Sequence, residues 1–236
     1  MNRLREIVSE RKFRRARLWS NRVLRKYAAL FHGEVANVSG WKDSDKAGGF
    51  YKDYFINATK YYITNHGTHA ENSGNEEQIS LDLEKPLPTE LSGRFDVVFN
   101  HTVLEHVFNI AVAFKDLCEL AREAVILVVP FVQVQHSTNS YSDFWRFTPL
   151  SIEKLFKRNN YTLVISEHNN HFNAATYLLC IGIRNEALPK YKGTFKKCNL
   201  AKKLAPGRWV GINAKDVVKS LIRQAKRVVL KIFMRK

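Results

Sequence analysis

A chain of 236 residues, 45% hydrophobic and 25% charged, suits one domain with extensions and excludes a collagen-like, coiled-coil or wholly disordered polymer. Its formal charge of +16 sits at the ends: residues 1–31 carry ten Lys/Arg against two acids and residues 186–236 fifteen against two, whereas residues 32–185 carry thirteen against eighteen. A mildly acidic body between basic arms argues against a nucleic-acid reader that is basic all over; it fits arms drawn to anionic lipid, RNA or another polyanion, or plain solubilising tails.

Residues 2–31 read as a basic helix, with Leu18, Trp19, Val23, Leu24, Tyr27, Leu30 and Phe31 at helical spacing. The N-terminus lacks an apolar run suited to a secretory signal. The longest apolar stretch, Ala124–Val132, is too short to span a bilayer, so a cytoplasmic setting is expected. Cys118, Cys180 and Cys198 are odd in number and have no close spacing, and no zinc-ligand spacing occurs. His136, His168 and His171 fall in loops without metal-ligand spacing, so no metal site is expected.

After the basic helix the period changes to that of strands. Val35–Val38 is a short strand ending in Ser39-Gly40, and Lys42–Asn57 begins as a loop around Gly48-Gly49 before a short helix through Tyr51, Tyr54 and Phe55. Tyr61–Thr64 is a second strand, residues 66–77 a polar loop, and Ile79–Leu83 a third strand before a turn at Lys85–Pro88. Phe95–Asn100 is apolar enough for burial on both faces. A helix follows, with Val107, Ile110, Ala111, Phe114, Leu117, Cys118 and Ala121 on one stripe; Glu105 and His106 are expected to begin it, where a carboxylate suits the positive dipole end. Ala124–Val129 is the most hydrophobic strand, a helix capped by Thr148 with Pro149 in its first turn comes next, and Tyr161–Ser166 and Thr176–Ile183 close the chain as an antiparallel pair.

Strands alternating with helices predict a three-layer α/β fold: a mostly parallel seven-stranded sheet ending in an antiparallel hairpin over residues 33–186, with basic helical extensions 1–32 and 187–236. Ligands of such sheets bind beyond the carboxyl ends of the strands. That rule selects Ser39-Gly40, Asn65, Asp82, Asn100-His101 and the segment after Pro130.

Several of these stretches resemble a known family. Phe95-Asp96-Val97-Val98 followed by Val103-Leu104-Glu105-His106-Val107 is similar to a signature of class I S-adenosylmethionine-dependent methyltransferases. Leu81-Asp82-Leu83-Glu84 resembles that family's acidic turn. Val129-Pro130-Phe131 with Asp143-Phe144-Trp145-Arg146-Phe147-Thr148-Pro149 resembles members linked to cell-surface polysaccharide synthesis. The resemblance covers about residues 33–186 and implies a Rossmann-like fold with S-adenosylmethionine as cofactor. It implies cofactor contacts from Ser39, Gly40, Asn65, Asp82, Leu83 and Asn100, and an acceptor held near Asp143, Trp145 and Arg146. Two departures stand out: the loop after the first strand offers one glycine, Gly40, beside bulky Trp41, and Asn65 stands where the family has an acid for the ribose.

A histidine near neutrality can take a proton from an acceptor hydroxyl, which makes His101 and His106 the candidate catalytic bases. Trp145 beside Arg146 suits a sugar ring or a phosphate-bearing acceptor; equally, Trp145 could pack under the sheet edge while Arg146 pairs with Asp143. Residues 215–236 have Val217, Val218, Leu221, Ile222, Ala225, Val228, Val229, Ile232 and Phe233 on one helical face, with basic residues elsewhere. That pattern suits the plane of an anionic membrane at its inner, cytoplasmic face, or packing on the body or another chain. Nucleic acid is disfavoured as a partner, because no stacking-platform motif is present. The reading is a methyltransferase acting on a sugar or other small acceptor in surface-glycan metabolism. Its alternative is a non-catalytic methyltransferase-like binding protein docked through its basic ends.

Overall fold

The computed structural model describes residues 14–66, 77–131, 133, 136–139, 141–169 and 177–195, together with residues 222 and 225. Within them the chain forms helix α1 (Arg14–Ala28), strands β1 (Gly33–Val38), β2 (Ala58–Asn65), β3 (Gln78–Ser80) and β4 (Phe95–His101), helix α2 (Ile110–Leu120), strand β5 (Ala121–Pro130), helix α3 (Pro149–Arg158), and strands β6 (Tyr161–His168) and β7 (Tyr177–Arg184). The strands pair into one seven-stranded sheet in the order β3-β2-β1-β4-β5-β7-β6. β1 lies parallel to β2 and β4, β2 to β3, and β4 to β5, while β7 runs antiparallel to both β5 and β6.

β5 is the centre of the structure. From Ala124 to Pro130 every residue is buried, which is why this stretch reads as continuously apolar rather than alternating. Covering each of its larger side chains contributes about 1.5–3 kcal/mol. Alternate residues feed two cores. One face of the sheet packs Val98, Val125, Leu127 and Val129 under α2 and α3, with Phe114, Leu117, Ile152 and Phe156. The other packs Val35, Val97, Phe99, Ile126 and Val128 under α1. α3 begins with a reciprocal cap, Ser151 N–H donating to the Thr148 hydroxyl and Thr148 N–H to Ser151, with Pro149 in the first turn.

α1 is a core element as well as a basic one. Ala16, Ser20, Val23, Leu24, Tyr27 and Ala28 are buried, whereas Leu18 is exposed. The buried face is thus rotated from the one that counting only large apolar residues selects, because small Ala16 and Ser20 allow close approach to the sheet. The third strand is shorter than its pattern predicts. Leu81 still donates its N–H to Asn65 O at 2.8 Å, but Asp82 then turns the chain by accepting from Glu84 N–H at 3.0 Å. Glu105 and His106 sit in a three-residue 3-10 turn, Leu104–His106, ahead of α2 rather than inside it. The amphipathic segment 215–236 lies outside the described residues except for 222 and 225. No described helix is long and apolar enough to cross a membrane.

Candidate functional site

From β1 the chain moves to β2 and β3 on one side, then returns to β4 on the other. Connections leaving in opposite directions open a crevice at the carboxyl ends of β1 and β4, the usual ligand position in such sheets. Asn100 sits there fully buried. Its Nδ2 donates to Val38 O at 2.9 Å, while its Oδ1 has no hydrogen-bond partner among the described residues. A buried acceptor left without a donor costs roughly 1–3 kcal/mol, so it is a place where a ligand donor is favoured.

Around that crevice the structure gathers Ser39, Gly40 and Asn65. Ser39 N–H donates to Thr64 Oγ1 at 3.1 Å and Gly40 N–H to Thr64 O at 3.1 Å. Asn65 clasps the Trp41 backbone, accepting from its N–H at 2.7 Å and donating to its carbonyl at 3.3 Å. A Cβ on Gly40 would lie 2.5 Å from Asn37 Nδ2, so only glycine permits this approach. The loop beyond it is held by two carboxylates. Asp43 accepts from Asn37 Nδ2 at 2.6 Å, the Tyr61 hydroxyl at 2.7 Å and Lys52 N–H at 2.8 Å. Asp45 accepts from Ala47 N–H at 2.7 Å, Gly49 N–H at 2.9 Å and the Tyr54 hydroxyl at 2.7 Å. These bonds hold Ser39, Trp41, Asp43 and Lys46 at φ between 49° and 57°, the left-handed region that costs a non-glycine residue roughly 1–2 kcal/mol. A loop with few glycines keeps a tight path because side chains fix it.

Asp82 stands at the end of β3, partly exposed. The Glu84 N–H and Lys85, 3.5 Å away, hold its carboxyl below the ordinary range. Leu83 is buried in the core with Ala36, Val38 and Tyr62.

The two candidate histidines lie in different settings. His101 projects from the face of β4 opposite Asn100, into the core under α1. Arg17 Nη1 lies 2.7 Å from its Nδ1, Ser20 Oγ lies 3.2 Å from its Nε2, and its ring stacks on Tyr51 at 5.3 Å. Burial, followed by the Arg17 charge, pushes its pKa well below the ordinary value, so the ring is neutral. Arg17 also donates to the Tyr51 hydroxyl at 3.1 Å. The sequence offered no sign that one arginine of a basic helix enters the strand-end rim, since nothing distinguishes it from its neighbours until the helix is docked.

His106 belongs to a second group, beyond β4 and β5. Its Nδ1 lies 2.6 Å from Ser142 O, and Nε2 lies 3.8 Å from Glu105 Oε1. Burial and the neighbouring His136 keep its pKa below the ordinary value against the pull of the Ser142 carbonyl. Glu105 is fully buried, and burial pushes its carboxyl up to about 8. Its carbonyl accepts from Phe144 N–H at 2.8 Å and Trp145 N–H at 3.3 Å. Asp143 takes a two-point bond from Arg146, Nη1 to Oδ1 and Nη2 to Oδ2, both 2.6 Å. That pair and the His136 N–H outweigh burial and hold Asp143 below its ordinary value. Trp145 Nε1 donates to Val107 O at 3.0 Å. The predicted acceptor residues Asp143, Trp145 and Arg146 are therefore assembled with His106, and they are bonded to one another and to the Glu105 turn. Beside them Phe108 and Phe144 pack edge to face at 5.2 Å, both exposed, as is Tyr141.

A groove of about 600 Å³ runs elsewhere, between α1 and the loop at Asp45–Gly49, lined by Arg22, Arg25 and Lys26 among others. Its lining includes none of Asn65, Asp82 or Asn100, so the strand-end chemistry and this cleft are separate features.

No family model matches the chain, and no curated protein matches it by sequence. Solved structures do. The chain is similar to an S-adenosylmethionine-dependent methyltransferase from Mesorhizobium loti, with a TM-score of 0.52 at 10% identity over 69% of this chain and 96% of that one. It is similar to magnesium protoporphyrin IX methyltransferase from Synechocystis PCC 6803 with bound SAH, with a TM-score of 0.50 at 13% identity over 78% and 93%. Against the CurJ carbon methyltransferase it has a TM-score of 0.47 at 12% identity, over 65% of this chain and 49% of that one. The fold is that of class I methyltransferases: an α/β sheet of parallel strands with a terminal antiparallel hairpin.

Proposed function

We propose that the protein is an S-adenosylmethionine-dependent methyltransferase acting on a small acceptor, with a sugar hydroxyl as the favoured acceptor group. The observation that carries this reading is the crevice between β1 and β4, where the buried Asn100 Oδ1 lacks a donor next to the tightly held Ser39–Trp41 turn. The residues fit the cofactor. Asn100 offers an acceptor to its ammonium, the Ser39-Gly40 backbone a close wall, and Asp82 a carboxylate for the adenosine end. Asn65 contributes by fixing the Trp41 backbone. When bound, the cofactor supplies a methyl group on a sulfonium, so this chain has only to orient the acceptor and provide for its proton.

On the acceptor side, the exposed rings of Phe108, Phe144 and Tyr141 support a ring-shaped substrate, which apolar faces hold while its hydroxyls stay wet. Of the two candidate bases, His106 borders that aromatic surface, its ring 4.5 Å from Tyr141, whereas His101 is buried, neutral and bonded to α1. We read His101 as packing that seats Arg17. The basic amphipathic pattern of residues 215–236 supports docking on the anionic inner face of a membrane, which sedimentation with and without those residues on anionic liposomes tests; equal pelleting discards it.

The test of the activity is transfer of labelled methyl from S-adenosylmethionine to a panel of sugars by the full chain. Labelled product that survives in His101→Ala and falls at least tenfold in Asn100→Leu supports the reading. No product with any acceptor, together with no cofactor binding, favours the non-catalytic alternative.

A further inference from the structure

Among the described residues, Glu105 is the one carboxylate whose two oxygens are both buried without a hydrogen-bond partner. Burying an ionised carboxylate with nothing against it costs several kcal/mol. Two histidines stand beside it: Glu105, His106 and His136 each place a ligand atom within 4.8 Å of the others. We propose that Glu105, His106 and His136 form a binding site for one divalent transition-metal ion.

The surroundings of the three residues are those that orient metal-binding imidazoles. His106 donates Nδ1–H to Ser142 O at 2.6 Å, which fixes the tautomer and leaves the Nε2 lone pair on the side of Glu105, 3.8 Å away. Asp143 Oδ2 lies 3.2 Å from His136 Nδ1 and accepts the His136 backbone N–H at 2.6 Å, a carboxylate–histidine pairing. Arg146 in turn anchors Asp143 through both carboxylate oxygens, and Phe144 and Trp145 fix the Glu105 backbone. The segment 142–146 thus supports all three ligands at once.

The donor set selects the ion. Two imidazoles and one carboxylate suit Zn²⁺, Mn²⁺ or Fe²⁺ rather than the all-oxygen ions Mg²⁺ and Ca²⁺. Tetrahedral ligands about 2.0–2.2 Å from an ion stand roughly 3.3–3.5 Å apart, so rotations of about 1 Å close the set. Three protein ligands leave a position open, and the site opens on the histidine side: the side chains of His106 and His136 are 19% and 30% exposed, against 0% for Glu105. An oxygen of the acceptor is the chemical class that position would take. This extension rests on the methyltransferase reading; the ion site does not.

The experiment is calorimetric titration of Zn²⁺, and separately Mn²⁺, into the full chain stripped with chelator, with S-adenosylmethionine titrated into the same samples. One ion per chain is expected. Affinity should fall more than about 100-fold in Glu105→Gln and about 10- to 100-fold in Asp143→Asn, and be unchanged in His32→Ala. Thermal melting confirms that the isosteric Glu105→Gln variant is folded. Co²⁺ loading should add visible absorption bands that Glu105→Gln lacks. Absence of ion binding, or binding that Glu105→Gln leaves intact, overturns the site. Ion binding without cofactor binding keeps the site and sinks only the methyltransferase reading, while the reverse result does the opposite.

Discussion

Two sets of buried carboxylates share the strand-end rim and are treated in opposite ways. Asp43 and Asp45, at 2% and 3% exposure, each accept three hydrogen bonds, Asp43 from β1, β2 and Lys52, and Asp45 from Ala47, Gly49 and Tyr54. Glu105, at 0%, accepts none with its side chain. The first pair spends its charge on shape, holding four non-glycine residues in the left-handed region. Glu105 stands beside two histidines without such donors, and burial raises its carboxyl to about 8, a net cost to its ionised form. A satisfied buried acid marks a scaffold, and an unsatisfied one marks a place for something that arrives later.

That contrast breaks most visibly at Asp43. Removing its carboxylate in Asp43→Ala strands the Asn37 amide, the Tyr61 hydroxyl and the Lys52 N–H together, and should cost about 4 kcal/mol in urea denaturation. A loss under 1 kcal/mol would mean that the loop does not depend on it.

Glu105→Gln should act with the opposite sign in metal-free protein. The Glu105 carboxyl titrates near 8 when folded, above its ordinary 4.5, so its ionisation opposes folding. Stability is intact below about pH 4.5 and falls as pH rises toward 8, and the neutral amide should recover about 3 kcal/mol at pH 7. Denaturation curves of both proteins across that window check it; parallel curves would show that Glu105 carries no such cost.

Gly40→Ala sharpens the scaffold side. Its Cβ would press on the Asn37 side chain, whose amide is already bonded to Asp43, and a loss of about 2 kcal/mol is expected by thermal melting, with weaker cofactor binding. The smallest effect belongs to Asp45. Although burial pulls its pKa up, hydrogen bonds from Gly49, Tyr54 and Ala47 hold it below the ordinary value. Its contribution is therefore present above the ordinary carboxyl pKa and lost as pH falls through the lower folded value. Asp45→Asn should lower stability slightly at neutral pH and leave it nearly unchanged below the folded pKa, so that urea denaturation across pH shows a flatter acid limb.

The strands, though not their order in the sheet, were legible because periodicity reports burial: Phe95–Asn100 and Ala124–Val129 are apolar on both faces and occupy the centre of the sheet. The strand-end rule selects Asn100 and the Ser39-Gly40 turn, and the structure has them at the carboxyl ends of β4 and β1. Other features follow from tertiary contact alone. A charged Glu105 reads as a surface residue at a helix start, and its burial depends on the segment around Asp143–Trp145 folding over it. His136 lies thirty residues after His106, a spacing that carries no ligand pattern, and only the β4–β5 pairing brings their loops together. Arg17 looks like any other cation of α1 until Ser20 and Ala16 let the helix sit close enough for it to reach His101.

The central claim is that the β1–β4 crevice holds S-adenosylmethionine. Calorimetric titration of that cofactor into the full chain and into Asn100→Leu tests it most directly. The expected result is one site per chain with affinity at least tenfold weaker in the variant. No heat at millimolar cofactor, or equal binding by both proteins, would contradict the claim.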